Sequence, residues 1–360
     1  MKKISVVFFV VFFITAGFTY AQEVSDPITL KKLECDSVTI EATSVIDADD
    51  AISDFMRDRF AILSDEWLGT ITSTGRVNIA PPQDSLSETV EITSVTYKVP
   101  KSFLVDTAKI LWELNIPEFR SYLYQLYNQD TIFIDLWNNV VGTAKDKTYE
   151  GHFEGYRIRN WPSWKDPEKP ESQPTPPGPK NPLGLFVVHY DKNSLRYFHG
   201  TNKNNLIYSK MRNLSHGCVR NDNENIQKMK EFIIKRIVKA DNLEYWLKSK
   251  KSMSYDLKER DIFPVRVTYK TFSVFRDGNG PYIELYKDIY GYSKSAGFSK
   301  SNNSDLIFLT NTENILAEYR KNIRDNKIPE EKLVKIIEYV INNGDEYERY
   351  YIKDVEPLVE

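Results

Sequence analysis

The chain has 360 residues, with 48 Lys and Arg against 51 Asp and Glu and a net charge of −3. That balance leaves no basic footprint for nucleic acid, and the length suffices for one good-sized core with a small accessory domain. The 22 Tyr and 19 Phe suit a β-rich fold and carbohydrate stacking alike, and decide neither.

The first residues read as an export signal. Lys2 and Lys3 precede an apolar run from Ile4 to Ile14, and Thr19-Tyr20-Ala21 ends in small residues, so cleavage after Ala21 is expected. The run is short for a bilayer span, and an uncleaved anchor is the alternative. Cys35 lies too far on for lipid attachment, and no later apolar run is long enough to cross a membrane. The mature protein is therefore expected in the periplasm or cell envelope. Residues 22–105 read as an N-terminal accessory region. Ala51, Ile52, Phe55, Met56, Phe60 and Leu63 fall at helical spacing, which predicts a helix over 47–63. Residues 70–96 alternate Thr, Val and Ile with polar residues and contain Pro81-Pro82, the pattern of strands and a linker.

From Ile110 the pattern becomes β. Ile132, Ile134 and Leu136 alternate with Phe133, Asp135 and Trp137, and Asn138-Asn139 reads as a turn before Val140-Val141-Gly142. Residues 143–182 read as irregular and lid-like. They carry Trp161, Trp164 and a run of prolines, a span too long for an ordinary connection, and a substrate cover is expected. Leu185 to Tyr190 is a strand, 191–194 a turn, and Leu195 to Phe198 the return strand, which leaves His199 at a strand end. Asn221-Asp222-Asn223 are plausible caps for a helix whose Ile226, Met229, Phe232, Ile233 and Ile237 share one face. Strands are expected over 262–276 and 281–286, joined by the turn Asp277-Gly278-Asn279-Gly280. Helices are expected at 311–324 and 330–342 within a C-terminal appendage, 294–360; Pro329 starts the second and Gly344 follows it.

Ser215-His216-Gly217-Cys218-Val219-Arg220 is the stretch that carries chemistry. A cysteine acyl-transfer site needs a thiolate, an imidazole to generate it, and N–H groups to hold an oxyanion. Cys218 is read as nucleophile and His199 as general base, its imidazole titrating near the ordinary value of about 6.5. Gly217 lets backbone approach substrate. The helix that follows is expected to place its positive end near the thiolate. His216 is a flanking residue, contributing either substrate orientation or its N–H. Ser215 is read as a tether of the loop. Gly200 or Thr201 is expected to fix the His199 tautomer. Arg220 either pairs with a substrate carboxylate or holds the loop together. Pairing with Cys35 would silence Cys218, so two free thiols are expected. His152 and His189 have no ligand partners at metal spacing, and neither metal nor cofactor is expected.

His199, 15 intervening residues and then Ser215-His216-Gly217-Cys218-Val219-Arg220 resemble the signature of the L,D-transpeptidases, the YkuD-type catalytic domain. Further stretches agree: Asn115-Ile116-Pro117-Glu118-Phe119 with Tyr122-Leu123-Tyr124, then Asn138-Asn139-Val140-Val141-Gly142, then the Pro-rich segment 176–184. Pro264 to Tyr269 and Asp288-Ile289-Tyr290-Gly291-Tyr292 resemble the tail of the large periplasmic members. The resemblance covers roughly half the chain, from about Lys109 to Ser293.

It implies a mainly β catalytic domain with flanking helices (α+β; sandwich- or barrel-like) over 106–293. It also implies an oxyanion hole from N–H groups at Gly217 and Cys218, with His216 beside them. The implied substrates are peptidoglycan stem peptides, a tetrapeptide donor and an amine acceptor, with no nucleic acid partner. Ser215, Gly200, Thr201, Arg220, Trp161 and Trp164 are the expected substrate contacts, and β-lactams, carbapenems especially, the expected covalent inhibitors. A non-catalytic wall-binding module, an L,D-carboxypeptidase and a protein-to-wall ligase are the alternatives.

Overall fold

A computed structural model of the chain describes residues 33–68, 71–72, 93–166, 168–194, 196–294, 304–324 and 327–359. The export-signal stretch and most of 70–96 lie outside the described residues. The chain divides into two compact units, with the change at Ala108 and Lys109.

In the first unit β1 (Cys35–Ala42) pairs antiparallel with β2 (Thr93–Pro100). The helix Val45–Arg59 packs on this hairpin. Its Ser44 cap accepts from the Asp47 N–H, and Ala48, Ile52 and Met56 are buried at helical spacing. Its start and end fall close to the span expected from the sequence. Tyr97 reaches back from β2, its hydroxyl donating to Asp49 at 2.6 Å. Cys35 is half-buried, and both it and Cys218 are free thiols.

The second unit is built on strands. In chain order they are β3 (Lys109–Asn115), β4 (Arg120–Tyr127), β5 (Asp130–Gly142), β6 (Gly151–Gly155), β7 (Arg157–Asn160), β8 (Phe186–His189), β9 (Tyr197–His199), β10 (Asn213–Ser215), β11 (Val219–Asn221), β12 (Met253–Asp256), β13 (Phe263–Lys270), β14 (Phe272–Asp277), β15 (Gly280–Leu285), β16 (Ile307–Phe308) and β17 (Arg349–Tyr351). Twelve of them form one sheet in the order β12-β7-β8-β9-β11-β5-β4-β3-β13-β16, with β10 added on β5 and β6 on β13. The mainly β fold with flanking helices is as expected.

Several local expectations are corrected. Asn138-Asn139 is no turn: β5 runs unbroken from Asp130 to Gly142. Asn139 is fully buried there because polar partners take its side chain: Ser121 donates to its Oδ1 at 2.6 Å and its Nδ2 donates to Asn221 at 2.8 Å. The alternation through Ile132 and Ile134 does not continue to Leu136, which is 39% exposed, while Trp137 is buried. The β4–β5 register shifts at Leu123/Tyr124, and such a shift reverses which residues face the core. Residues 143–182 are not all loop, since β6 and β7 lie within them; the irregular parts are 143–150 and the stretch from Trp161 on. The segment 262–276 is two strands in different sheets. The chain leaves β13 at Lys270 and enters β14 at Phe272, with Thr271 bonded to Phe308 and Thr310 at the break.

The hairpin β14–β15 and β17 form a separate three-stranded sheet. Against it pack the helices Thr312–Asn322 and Glu330–Asn343, close to their expected spans, through Ile315, Tyr319, Leu333, Ile336, Ile337 and Val340. Near the site the large sheet is held by aromatic packing. Trp112 of β3 stacks on Phe198 of β9 at 3.9 Å and meets Trp137 of β5 edge-on at 5.8 Å. Phe198 also touches Tyr190 at 4.7 Å. Its immediate neighbour is His199, so this core packing sets the strand that carries the imidazole. Trp112→Ala is therefore expected to cost about 3–5 kcal/mol, the usual range for deleting a buried large aromatic. Urea unfolding checks it: the midpoint should fall with the slope unchanged.

Candidate active site

β9 and β11 run parallel, with Phe198 opposite Val219 and His199 opposite Arg220. Side chains alternate along a strand. Phe198 and Val219 face the core, and His199 and Arg220 share the other face. Cys218 immediately precedes β11, level with Tyr197 of β9, whose backbone N–H donates to the thiol.

His199 is 3% exposed. Its Nδ1 lies 2.5 Å from the Gly200 carbonyl. A carbonyl accepts only, so Nδ1 carries the proton and Nε2 is left with the lone pair of a base. Thr201 is engaged elsewhere. Its N–H and carbonyl bond the Asn223 side chain at 2.9 and 2.7 Å, and its hydroxyl accepts from the Lys203 N–H. Of the two candidates for fixing the tautomer, the carbonyl of Gly200 is the one in place.

The turn that carries the thiol is pinned from several sides. Gly217 adopts φ +102°, and a Cβ there would lie 2.9 Å from the Lys147 carbonyl and 2.8 Å from Arg196 Nε, so only glycine fits. The Thr148 hydroxyl donates to the Gly217 carbonyl and accepts from the Gly142 N–H, both at 2.9 Å. The Tyr290 hydroxyl accepts from the Thr148 N–H at 3.0 Å and donates to the Gly142 carbonyl at 3.1 Å. Ser215 closes the turn, donating to the Cys218 carbonyl at 2.5 Å and accepting from the Gly217 N–H at 3.2 Å. Of the two N–H groups expected to form the oxyanion hole, the Gly217 N–H is thus engaged by Ser215.

The electrostatics depart from expectation in two ways. Cys218 precedes the cap of the helix Asn223–Phe232, Asp222, by four residues with β11 between them. That is roughly 13 Å of extended chain, and the helix dipole fades within about one turn. Burial raises the Cys218 thiol above its ordinary value, opposed by the Tyr197 N–H and by the charges of Arg196 and Arg220. His199 is driven down to about 3, first by burial and then by the Arg220 charge. The resting pair is thiol and neutral imidazole, and the expected titration near 6.5 is displaced.

Of the other expected residues, His216 points outward. Its Nε2 is 3.3 Å from Glu168, and both side chains are more than half exposed. Trp161 and Trp164 lie in the same loop as Glu168. That loop is stapled at its base by Asn181, whose amide donates to the carbonyls of Pro162, Thr175 and Pro176 and whose Oδ1 accepts from the Leu183 N–H. The backbones of Trp164 and Thr175 bridge its middle. Arg220 has no carboxylate partner among the described residues, and its charge bears on both Cys218 and His199. Three residues near the thiol escaped the sequence reading. Arg196 abuts Gly217. Tyr197 supplies its N–H. Tyr190 is buried on Phe198 and Phe153, within reach of the Cys218 charge, and its hydroxyl has no hydrogen-bond partner among the described residues. A motif search finds none of these three, because the fold and not their spacing brings them to Cys218.

Residues 113–239 match the family model of the L,D-transpeptidase catalytic domain, YkuD. The resemblance drawn from the motif is borne out over that span. No curated protein matches the chain. Among solved structures, it is similar to an L,D-transpeptidase from Mycobacterium smegmatis, at 13% identity over 65% of this chain and 91% of that chain, with a TM-score of 0.25. It is also similar to L,D-transpeptidase 3 from Mycobacterium tuberculosis in complex with a faropenem-derived adduct, at 10% identity over 65% of this chain and 91% of that chain, TM-score 0.27. A third similarity is to Bd1075 of Bdellovibrio bacteriovorus, at 14% identity, TM-score 0.23, over 35% of this chain. The chain spans only 44% of that protein. At these identities and scores the likeness carries no argument about activity.

The protonation states make a direct expectation. Alkylation of Cys218 by iodoacetamide should rise with pH through a thiol value above that of free cysteine. It should show no inflection between pH 6 and 7, since His199 stays neutral down to about pH 3. A stopped-time alkylation series read by intact mass checks this. An imidazole-like limb near pH 6.5 would contradict it.

Proposed function

We propose that this chain is an exported peptidoglycan L,D-transpeptidase that works through a Cys218 thioester. The observation that carries the reading is the Gly217–Cys218 turn, fixed by Thr148 and Tyr290, at the end of a strand paired with the one whose His199 commits its Nδ1 to Gly200. Nucleophile, base and a group orienting the base are the parts an acyl transfer needs.

His199 Nε2 takes the proton of the Cys218 thiol. The thiolate attacks the carbonyl of the bond between the L-centre of the donor stem and its terminal D-Ala. The tetrahedral oxyanion forms in the field of Arg220, which has no protein counter-ion among the described residues and costs no reorganisation at that moment. The carbon–nitrogen bond breaks, the departing amine takes the proton from His199, and a thioester remains. An acceptor amine then gives a proton to His199 and attacks the thioester. The carbon–sulfur bond breaks and the thiolate recovers its proton. Water in place of the amine gives L,D-carboxypeptidase action, and an amine on a protein gives attachment to the wall. A base held neutral at working pH is ready without prior deprotonation. A thiol held protonated limits side reactions until substrate displaces water. The wall-binding alternative leaves the pinned turn and the fixed tautomer without a purpose.

Two expectations test the reading. Wild-type protein incubated with a carbapenem should gain one covalent adduct by intact mass, and Cys218→Ala none. His199→Ala should slow that acylation by about 10²–10⁴-fold, the usual contribution of a general base. An adduct surviving in Cys218→Ala, or an unchanged rate in His199→Ala, contradicts the mechanism.

A third expectation concerns the loop from Trp161 to Pro182, which reaches the His216 side of the motif through Glu168. Deleting its distal part, 165–174, should leave iodoacetamide alkylation of Cys218 within about twofold, because a small reagent needs no cover. Muropeptide turnover should fall by about tenfold or more, the scale on which lost substrate positioning is felt. Equal effects on both reactions would make the loop inert.

A further inference from the structure

Arg196 is the cation beside the nucleophile that no part of the mechanism above uses. Two contacts fix its guanidinium, and a third distance places it against the thiol turn. Nε donates to the Lys147 carbonyl at 2.7 Å. The planar group lies over the Tyr149 ring at 3.8 Å. Its Nε and Cζ stand 2.8 and 3.2 Å from where a Gly217 Cβ would be. With Nε spent, the Nη1–Nη2 edge remains, the edge that matches a carboxylate in two parallel hydrogen bonds. No carboxylate of the described residues takes it, and the side chain is only partly buried. A guanidinium held this way by a carbonyl and a ring face is oriented before any ligand arrives, so little rotamer freedom is left to lose on binding.

Its place along the strand gives the direction. Tyr197 is level with Cys218. Arg196 precedes Tyr197 on the Gly217 side, and His199 follows it on the Arg220 side. Along the chain the two positions therefore bracket Tyr197, the residue level with Cys218. His199 must protonate the departing amine, so the leaving residue lies on its side. The acyl residue retained on sulfur then extends toward Arg196. We infer that Arg196 binds a carboxylate borne by the acyl-donor residue, and so selects stems whose attacked residue has an anionic side chain over those in which that group is neutral or amidated. The inference rests on the transpeptidase reading for the identity of the donor. Its charge also favours the thiolate at Cys218, so the test has to separate recognition from simple activation.

Iodoacetate and iodoacetamide do so. In each the thiolate displaces iodide, and the two reagents differ in carrying a carboxylate or a neutral amide. Any change in thiolate population affects both rates alike and cancels in their ratio. The ratio of iodoacetate to iodoacetamide rates at Cys218 should fall about 5–10-fold in Arg196→Gln, the scale of a partly solvated charge-assisted hydrogen bond. Arg196→Lys, which keeps the charge without the fork, should fall between Gln and wild type, and it carries the test if the Gln variant does not fold. With donor muropeptides, Arg196→Gln should raise KM for the free-carboxylate donor and leave the amidated one within about twofold. A wild-type ratio in Arg196→Gln overturns the assignment. So does a ratio in Arg196→Lys at or above wild type, or a fall in Arg220→Gln as large as in Arg196→Gln. Neither alkylation depends on turnover. A wild type that shows the carboxylate preference but cross-links no muropeptide would sink the transpeptidase reading and leave the carboxylate site standing.

Discussion

Gly217 is the point on which the site depends. Its φ of +102° and the lack of room for a Cβ let the chain turn sharply enough to present Cys218 beside β9. Such a conformation is retained only where the surroundings over-determine it. Here they do so through one short segment: Thr148 ties the Gly217 carbonyl to the end of β5, Tyr290 ties Thr148 in turn, and Lys147 binds Arg196 from the other side. Loosening that segment would move Cys218, Arg196 and the turn together. Tyr290 itself is anchored because Tyr269 donates to Asp288 and accepts the Tyr290 N–H, so the support reaches back to β13.

The second constraint is dryness. Burial favours the neutral form of both Cys218 and His199, and its effect outweighs the neighbouring charges. Two arginines and a backbone N–H act to lower the Cys218 thiol and still leave it raised. The same burial holds His199 uncharged. A site of this kind stores its reactivity in fixed charges aimed at where negative charge will develop. Those charges gain most when substrate excludes the remaining water. The loop stapled by Asn181 meets the motif, among the described residues, through one exposed pair, Glu168 and His216. An exposed pair of this kind is weak, worth at most about 1 kcal/mol.

Beneath the site runs a buried polar ladder. Ser121 donates to Asn139, Asn139 to Asn221, and Asn221 to the His199 carbonyl, linking β4, β5, β11 and β9. Each amide here has a partner, and an apolar replacement would strand the others without one. This explains why Asn138-Asn139, a turn by composition, lies in mid-strand. Asparagine is common in turns because it can bond its own backbone. When a neighbouring strand offers a better partner, that preference is overridden.

What the sequence by itself determined is what local rules control. Glycine at the thiol turn, the Ser-His-Gly-Cys order and the histidine at a strand end carried the family resemblance. Periodicity located the helices over 45–59, 223–232, 312–322 and 330–343 to within a few residues. Strand boundaries were less legible. The register shift at Leu123/Tyr124 and the change of sheet at Thr271 are set by pairing with distant strands, which no local pattern records. The protonation states were decided only by the tertiary structure, since burial and the opposing Arg220 come from the fold. So was the pairing of Arg196 with Cys218. The two are 22 positions apart in the chain and become neighbours only because β9 and β11 lie side by side in parallel.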